Sequence, residues 1–280
     1  MHYRRRKDSK DIMEQFTAIP AGENILRIVM PYNVYTYLIL GTEKAALIDT
    51  GYGVGSLKSY VRTLTKLPVT VLCTHGHVDH IGGSGEFEEV FLNRRDWELA
   101  ARHVQTEKRQ KFIAELTGQK PQGDFVLPRT APFSPLEDGQ TFSLGGVTLE
   151  MIACPGHTQG CLCVLLREQR LLILGDACNS KSFLFFPECS HIDAYLASLQ
   201  RLMARRPEFD HVLFFHPDNR GDEHDLADNI EVCREILAGT DDRVPRRLLN
   251  TDLFIAKAIG PDERRLDGKW ANIYYSADKC

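Results

Sequence analysis

Runs of apolar residues of strand length recur along this chain, separated by glycine, proline and polar turns. Runs rich in valine, isoleucine and leucine, bounded by such turns, predict β-strands. Strands are predicted at residues 25–29, 34–40, 45–48, 69–72, 162–166, 171–174 and 211–215, with a hairpin over residues 139–152 that turns at Gly145-Gly146. The pattern therefore predicts a protein rich in β-sheet in both halves of the chain.

Segments with apolar residues at helical spacing lie between these strands. Helices are predicted at residues 56–66, 96–116, 193–205 and 225–238. The segment 96–116 is predicted as one long polar helix, because Gly118 and Pro121 are the first residues that would stop it. Strands and helices therefore occur together in each half.

One stretch contains most of the candidate chemistry, and it follows the predicted strand 69–72. It reads Cys73-Thr74-His75-Gly76-His77-Val78-Asp79-His80-Ile81-Gly82-Gly83. Three imidazoles and one carboxylate fall within six residues of it. Imidazole nitrogen and carboxylate oxygen are ligands that suit zinc and iron. Because a strand that ends in a tight loop can aim several side chains at one point, we interpret this stretch as half of a metal site.

Three later strands are each followed by a further potential ligand. These ligands are His157 after the hairpin 139–152, Asp176 after strand 171–174, and His216 within two residues of the end of strand 211–215. The ends of strands are rigid enough to hold metal ligands in place. The recurrence of this arrangement indicates a metal site more strongly than any single histidine does.

These residues, in this order, resemble the metal-ligand set of the metallo-β-lactamase fold superfamily. Ala46-Leu47-Ile48-Asp49-Thr50-Gly51 looks like the family's LIDTG turn, and Pro155-Gly156-His157-Thr158-Gln159-Gly160 looks like its PGHTxG loop. The resemblance covers roughly residues 25–220 and implies an α+β fold, a four-layer αββα sandwich with mixed sheets. We expect residues 1–280 to form a single domain, with a lid insertion at 94–135 and an unmatched C-terminal extension at 235–280.

The resemblance also implies a binuclear metal site. The first metal would be bound by His75, His77 and His157, the second by Asp79, His80 and His216, and Asp176 would bridge them. A hydroxide between two divalent ions, roughly 3.5–4 Å apart, would be the nucleophile. Asp79 would also orient this hydroxide and carry a proton to the leaving group. Two Zn²⁺ ions are expected, although the ligand set also accepts iron or manganese.

The implied activity is that of a metal-dependent hydrolase acting on a small ester, thioester, lactone or phosphodiester. Two departures from relatives narrow this range. The best-known zinc β-lactamases have a cysteine at the position of Asp176, which disfavours an antibiotic β-lactamase. Acyl-homoserine lactonases usually have a tyrosine at the position of Asn179, which weakens the lactonase interpretation.

Two other classes of protein share this fold and remain alternatives. Persulfide dioxygenases bind one iron through residues corresponding to His75, His157 and Asp176, which would leave Asp79, His80 and His216 without a metal to bind. RNA-processing nucleases share the ligands, but the chain lacks their basic character. The hydrolase is therefore the favoured interpretation, the dioxygenase the alternative and the nuclease a third.

Substrate contacts are predicted just after the bridging aspartate. Asn179 and Phe183 are the candidate substrate-binding residues, and the run Ser182-Phe183-Leu184-Phe185-Phe186-Pro187 would line a pocket wall for an acyl or aromatic group. Ordinary core packing is the alternative for this run. His103, His191 and His224 do not follow predicted strands, and they are predicted to be surface or capping residues.

Composition narrows the partners and the compartment. The 280 residues have a net charge of −4 and 43% are hydrophobic, so general polyanion binding is disfavoured and a small-molecule substrate is expected. No run approaches the ~18 apolar residues of a membrane helix. The charged segment Met1–Asp8 is not followed by an apolar stretch, and the protein is predicted to be cytoplasmic. Nothing in the sequence indicates an oligomeric state.

Most of the eight cysteines are expected to be free thiols in a reducing cytosol. Cys161 and Cys163 lie in an apolar run, where strand alternation would turn both sulfurs to one face. Buried core thiols are favoured there over a second metal site. Cys154 and Cys178 are expected to flank the site without binding metal.

Overall fold

Two β-sheets face each other in the computed structural model, which describes residues 16–216 and 224–280. The first sheet contains, in spatial order, β1 (Thr17–Gly22), β2 (Ile25–Met30), β3 (Val34–Leu40), β4 (Ala45–Ile48), β5 (Val69–Leu72), β6 (Val90–Leu92) and β7 (Ser134–Pro135). The first four strands are antiparallel neighbours and the pairs from β4 to β7 are parallel, so this sheet is mixed.

The second sheet is also mixed. It contains β8 (Thr141–Ser143), β9 (Thr148–Ala153), β10 (Leu162–Leu166), β11 (Leu171–Ile173) and β13 (His211–Leu213), in the spatial order β13-β11-β10-β9-β8. Strand β10 is buried along its whole length. Its residues alternate between two cores: Leu162 and Val164 face the first sheet, whereas Cys163 and Leu165 face the outer helices. A strand covered on both faces is expected to be apolar throughout.

Helices cover the outer faces of both sheets. They are α1 (Leu57–Leu64), α2 (Val78–Ile81), α3 (Trp97–His103), α4 (Thr106–Thr117), α5 (Ile192–Ala204) and α6 (Asp225–Ala238), with 3₁₀ turns at Ser84–Glu86, Arg94–Asp96, Arg206–Glu208 and Ala277–Lys279. Helix α1 buries its apolar residues against the first sheet, and α5 and α6 bury theirs against the second. The order of layers is therefore helix, sheet, sheet, helix, which confirms the predicted α+β sandwich.

The predicted C-terminal extension adds a third sheet to this plan. This sheet contains β12 (Lys181–Leu184), β14 (Val244–Leu248), β15 (Thr251–Ile255) and β16 (Asn272–Tyr275), in the order β12-β16-β15-β14. Strands β12 and β16 are parallel, with Lys181 opposite Asn272. The extension is therefore joined by hydrogen bonds to the strand that follows Asp176.

Most predicted strands and helices are confirmed, but the single helix over residues 96–116 is wrong. Two helices, α3 and α4, occupy this segment, and Gln105 between them has an extended backbone (φ −63°, ψ 133°). The buried guanidinium of Arg109 on α4 donates hydrogen bonds to the carbonyl oxygens of Tyr52 and Gly82. We infer that these distant contacts set the direction of α4, and local periodicity contains no information about them.

Parts of the predicted lid, residues 94–135, pack into the fold. Asp96, Arg109 and Arg129 are buried, and β7 pairs with β6. Movement of this segment as a lid stays a prediction. Within residues 16–216 and 224–280, no helix combines the length and the hydropathy needed to cross a bilayer. The charged segment Met1–Asp8 lies outside the described residues.

Candidate metal centre

The structure brings all seven predicted metal ligands together at one edge of the sandwich. Each follows the strand that the sequence indicated: β5 for His75, His77, Asp79 and His80, β9 for His157, β11 for Asp176 and β13 for His216. The ligand atoms form three overlapping groups, each with all its atoms within 4.8 Å of one another: His75, His77 and His157; His75, His80 and Asp176; and Asp79, His80 and His216. The first and third groups are the two triads expected from the sequence.

Several atoms that point into this cluster have no hydrogen-bond partner. His75 Nε2, His80 Nε2 and Asp176 Oδ1 are buried and unpaired. Asp176 Oδ2 lies 3.4 Å from His216 Nε2 and 3.7 Å from His157 Nε2. A buried polar atom without a partner costs free energy, and such atoms are rare in native proteins. Divalent cations would satisfy this set, and the residues present therefore fit a metal site.

Hydrogen bonds on the far side of each ring fix which nitrogen faces the cluster. His75 Nδ1 lies 3.1 Å from Thr74 Oγ1, and His80 Nδ1 lies 2.7 Å from Asp49 Oδ2. His157 Nδ1 donates to the carbonyl oxygen of Phe183 at 2.8 Å. A histidine that binds metal through one nitrogen typically donates the other N–H to such an acceptor, which orients the ring.

His77 is oriented the opposite way from the other three. Its Nε2 lies 2.7 Å from Glu188 Oε1, and its Nδ1 lies 2.8 Å from His157 Nε2. Glu188 is therefore the outer partner of His77. Burial opposes ionisation of Glu188, but the hydrogen bond and charge of His77 outweigh burial and lower the pKa of this carboxyl to about 2.

Two histidines of the first triad, His75 and His157, favour the neutral form that metal binding requires. Burial, reinforced by the neighbouring imidazoles, lowers the pKa of His75 well below its usual value. Burial, and then His77, lowers the pKa of His157 to about 4. A neutral imidazole presents a lone pair to a cation.

His80, in the second triad, and Asp176 have pKa values that are shifted towards the charged form instead. Burial disfavours a charged His80, but the carboxylates of Asp79, Asp49 and Asp176 outweigh it and raise the pKa of His80 well above its usual value. Burial likewise disfavours a charged Asp176, but His216 and His80 outweigh it and lower the pKa of that carboxyl well below its usual value. Negative charge therefore concentrates on the side of the cluster where the second cation would bind.

Asp49, from the LIDTG-like turn, holds the segment after β5 that contains His75 and His80. Its carboxylate accepts hydrogen bonds from the Thr74 backbone N–H at 2.6 Å and the Thr74 hydroxyl at 2.7 Å, in addition to its contact with His80. It has a left-handed backbone conformation (φ 67°), which is uncommon outside glycine and concentrates at functional sites. The turn was recognised in the sequence, but the role of its aspartate was not.

Sequence reasoning missed two residues next to His77. Glu188 had no motif around it. His103 was expected at the surface, and this is wrong: it is buried, and its ring stacks on that of His77 with centroids 5.4 Å apart. Burial, with smaller effects from His77 and Lys108, lowers the pKa of His103 to about 3. By contrast, His191 and His224 are exposed at the starts of α5 and α6.

The two predicted substrate-binding residues follow Asp176 in the chain and have different settings. Asn179 is buried, and its side-chain oxygen accepts a hydrogen bond from the backbone N–H of Lys181 at 2.8 Å. Phe183 is half-buried on β12, with its ring against those of Phe185 and Tyr274. Phe186 places its ring 5.4 Å from that of His77. Contact of Asn179 and Phe183 with substrate stays a prediction.

The cysteines near the site are buried core thiols, as predicted. Cys154, Cys161, Cys163 and Cys178 all belong to the core between the second sheet and its helices. In the described residues, none of the groups of potential metal ligands includes a cysteine.

The family model of the metallo-beta-lactamase superfamily matches residues 29–227. This match spans most of the chain and all seven candidate ligands. The chain therefore belongs to the metallo-β-lactamase superfamily, as the fold and the cluster of histidines and aspartates indicate.

Among curated relatives, the chain is 28% identical over 219 residues to the chicken (Gallus gallus) protein named acyl-coenzyme A thioesterase MBLAC2, covering 68% of this chain and 76% of that one. It is 26% identical to the human protein of the same name, covering 60% of this chain and 66% of that one. A solved metallo-beta-lactamase from Pontibacter korlensis has a TM-score of 0.58 at 21% identity, covering 79% of this chain and 99% of that one. The last likeness concerns the fold alone.

Proposed function

We propose that this chain is a hydrolase that uses two Zn²⁺ ions to cleave a small thioester. The observation that carries the proposal is the cluster of buried, unpaired ligand atoms, arranged as two triads on either side of Asp176. A cytoplasmic location and a small-molecule substrate belong to the same proposal.

The chain's residues divide between the two ions. His75, His77 and His157 would hold the first, Asp79, His80 and His216 the second, and Asp176 both. When bound, two such ions supply Lewis-acid polarisation of a carbonyl oxygen and lower the pKa of a water molecule. The three neutral imidazoles of the first triad would leave that ion its full charge.

Asp79 is the candidate for proton transfer. Its Oδ2 lies 3.6 Å from His216 Nε2 and 3.7 Å from His80 Nε2, and the residue is 8% exposed. In hydrolysis, the oxygen of water attacks the carbonyl carbon, the C–S bond breaks, and the water loses a proton. Asp79 can accept this proton and pass it to the departing sulfur, which leaves as a thiol. The acyl product is a carboxylic acid, and one water is consumed.

Two observations support an acyl thioester as the substrate. Two of the most similar curated relatives have names that describe acyl-coenzyme A thioesterases. The half-buried ring of Phe186 lies 5.4 Å from that of His77 and 6.2 Å from that of His157, and this apolar surface beside the histidines suits the acyl group of such a substrate.

The test combines metal analysis with a substrate panel. Elemental mass spectrometry on protein purified without added metal is expected to find about two zinc ions per chain, following the two triads. The loaded protein is then assayed on acyl-coenzyme A thioesters, matched oxygen esters, lactones and phosphodiesters. Thiol release from the thioesters is expected to exceed turnover of the others, and Asp79→Asn should abolish it while exposed Asp252→Asn should not.

Three outcomes would contradict the proposal. One is turnover of a phosphodiester or lactone that exceeds turnover of every thioester. The second is one iron per chain together with oxygen uptake on a persulfide, which would establish the dioxygenase alternative. The third is RNA binding that weakens steeply with salt and is accompanied by cleavage.

A further inference from the structure

A short loop next to the first triad connects the metal centre to the C-terminal sheet. This loop, Pro187–Ser190, includes Glu188, whose carboxylate lies 2.7 Å from His77 Nε2. Because His77 would bind metal through Nδ1, a fixed acceptor at Nε2 is what keeps the ring in the required orientation and tautomer. The position of Glu188 therefore depends on how firmly the backbone of this loop is held.

Lys279 holds that backbone from the far end of the chain. Its ammonium donates hydrogen bonds to the carbonyl oxygens of Cys189 at 3.0 Å and of Pro187 at 3.3 Å, one on each side of Glu188. Lys279 is only 5% exposed, which is unusual for a lysine and is tolerated where its donors have acceptors. Asp278 is the nearest carboxylate, with an oxygen 3.7 Å from the ammonium nitrogen.

Two further hydrogen bonds tie the same loop to the loop of His157. Gln159 Nε2 donates to the carbonyl oxygen of Glu188 at 3.0 Å, and the Ser190 backbone N–H donates to the carbonyl oxygen of Gly156 at 2.8 Å. The loop of Glu188 is thus held on one side by the His157 loop and on the other by Lys279. The first attachment lies inside the region that the family model matches, and the second lies outside residues 29–227.

The C-terminal sheet brings Lys279 to this place. Strand β16 pairs in parallel with β12, and β12 runs directly into the segment that contains Glu188. The turn Ala277–Lys279 follows β16 and places the ammonium of Lys279 under the two carbonyl oxygens. A strand pair and a hydrogen-bonded lysine together fix the loop more rigidly than its own few residues would.

We propose that Lys279 is a positioning residue of the metal centre, which holds Glu188 against His77 through the backbone of Pro187 and Cys189 and so strengthens metal binding by the first triad. The inference rests on the proposed metal site but not on the identity of the substrate. The residues that orient metal ligands typically contribute about 10–100-fold in metal affinity.

The experiment measures zinc affinity rather than turnover. Metal-stripped full-length protein is titrated with zinc against a chromophoric chelator, and two dissociation constants are extracted. Glu188→Ala is expected to weaken one constant by about 10–100-fold, and Lys279→Met to weaken the same constant by roughly 5–20-fold, because it loosens Glu188 rather than removing it. The other dissociation constant should change by less than about twofold, because the second metal subsite loses no contact in either variant.

A double variant tests whether Lys279 acts through Glu188. If it does, adding Lys279→Met to Glu188→Ala should cause little further loss, because the residue that Lys279 positions is already gone. The matched control is Lys269→Met, which removes a lysine that precedes β16 and whose partners are the carboxylates Asp228 and Glu231. This control should leave both dissociation constants unchanged.

Three results of the zinc titrations would overturn the proposed role of Lys279. A Lys279→Met protein with both constants unchanged would do so, as would equal weakening of both constants or additive losses in the double variant. Urea unfolding of the metal-free variants checks that the fold persists, and Lys279→Gln, which keeps a donor, replaces Lys279→Met if the latter fails to fold. Failure of the proposed function would look different, as normal zinc binding without thioester turnover.

Discussion

The hydroxyl of Thr158 donates a hydrogen bond to the carboxylate of Asp96 at 2.6 Å, across 62 positions of the chain. The same carboxylate accepts from the backbone N–H of Gly76 at 2.9 Å and of Gly160 at 2.8 Å. Asp96 thus joins the loop of His75 and His77 to the loop of His157. A side chain on Gly160 would not fit, because its Cβ would lie 2.7 Å from the carboxylate carbon.

We predict that Asp96→Asn destabilises the protein and weakens metal binding together. An amide has one oxygen where the carboxylate has two, so at least one buried N–H or O–H donor loses its acceptor and faces another donor. The expected loss in the free energy of unfolding is about 2–3 kcal/mol. Urea denaturation of the metal-free protein measures it, and the exposed Asp252→Asn is the control. Equal midpoints for Asp96→Asn and wild type would contradict the prediction.

Asp49 leads to a more local prediction. In Asp49→Asn the left-handed backbone is retained, since asparagine tolerates it, but the negative charge next to His80 Nδ1 is lost. We expect about 10–100-fold weaker binding of the second metal ion, because His80 loses the acceptor that orients it. Chelator competition provides the measurement. Unchanged metal affinity at both subsites would show that Asp49 stabilises only the loop of Thr74 and does not orient His80 for metal binding.

The two triads are expected to lose metal separately. His77→Ala removes a ligand of the first group and His216→Ala one of the third, and these groups have no residue in common. Each variant should retain about one of the two ions that a binuclear site holds. Elemental analysis after gel filtration checks the stoichiometry, with the exposed His191→Ala as the control. If each variant left the metal content unchanged, the binuclear site would be wrong.

Glu150, which is not among the candidate ligands, should make stability depend on pH. Its carboxylate receives hydrogen bonds from Arg167 and Arg205, which, together with their charges, outweigh burial and lower its pKa. A carboxyl with a lower pKa in the folded state stabilises the protein above its unfolded pKa, near 4.5, and this stability is lost as pH falls through the folded value.

Glu150→Gln is therefore expected to lower the free energy of unfolding by about 1–2 kcal/mol at pH 7. The difference from wild type should shrink as pH falls below 4.5 towards the lower folded pKa, because both proteins are then uncharged at this position. Denaturation curves at several pH values measure this. A difference that stays constant across the range would indicate that packing, rather than charge, is responsible.

The fold and the clustering of the candidate ligands were predictable because their signals are local. The central strands of the sandwich are short apolar runs bounded by turn residues, and each candidate ligand follows such a run within a few positions. The side-chain alternation that leads into β10 also places Cys161 and Cys163 on one face, and both belong to the core between the second sheet and its helices. Such features depend only on residues that are close together in the sequence, and the pattern of apolar and polar positions records these residues directly.

The residues that support the ligands were not predictable, for the same reason. Glu188 contacts His77 across 111 positions and has no motif around it. His103 is buried only because α3 brings it against the ring of His77. The C-terminal sheet was not predicted. Its strands pair with β12 and with one another, and the pairing of distant strands produces no periodic pattern in the sequence.

The pairing of β12 with β16 also bears on the order of events during synthesis. The contact between Lys279 and Cys189 spans 90 residues. The loop of Glu188 therefore leaves the ribosome well before Lys279 does. At translation rates of about 5–20 residues per second, that interval lasts on the order of 5–20 s. During it, the sandwich can collapse around β10 while β12 remains an unpaired edge. The nascent chain therefore passes through a stage at which its ligands have emerged but its third sheet has not, and at which a chaperone or a foreign strand can compete for that edge.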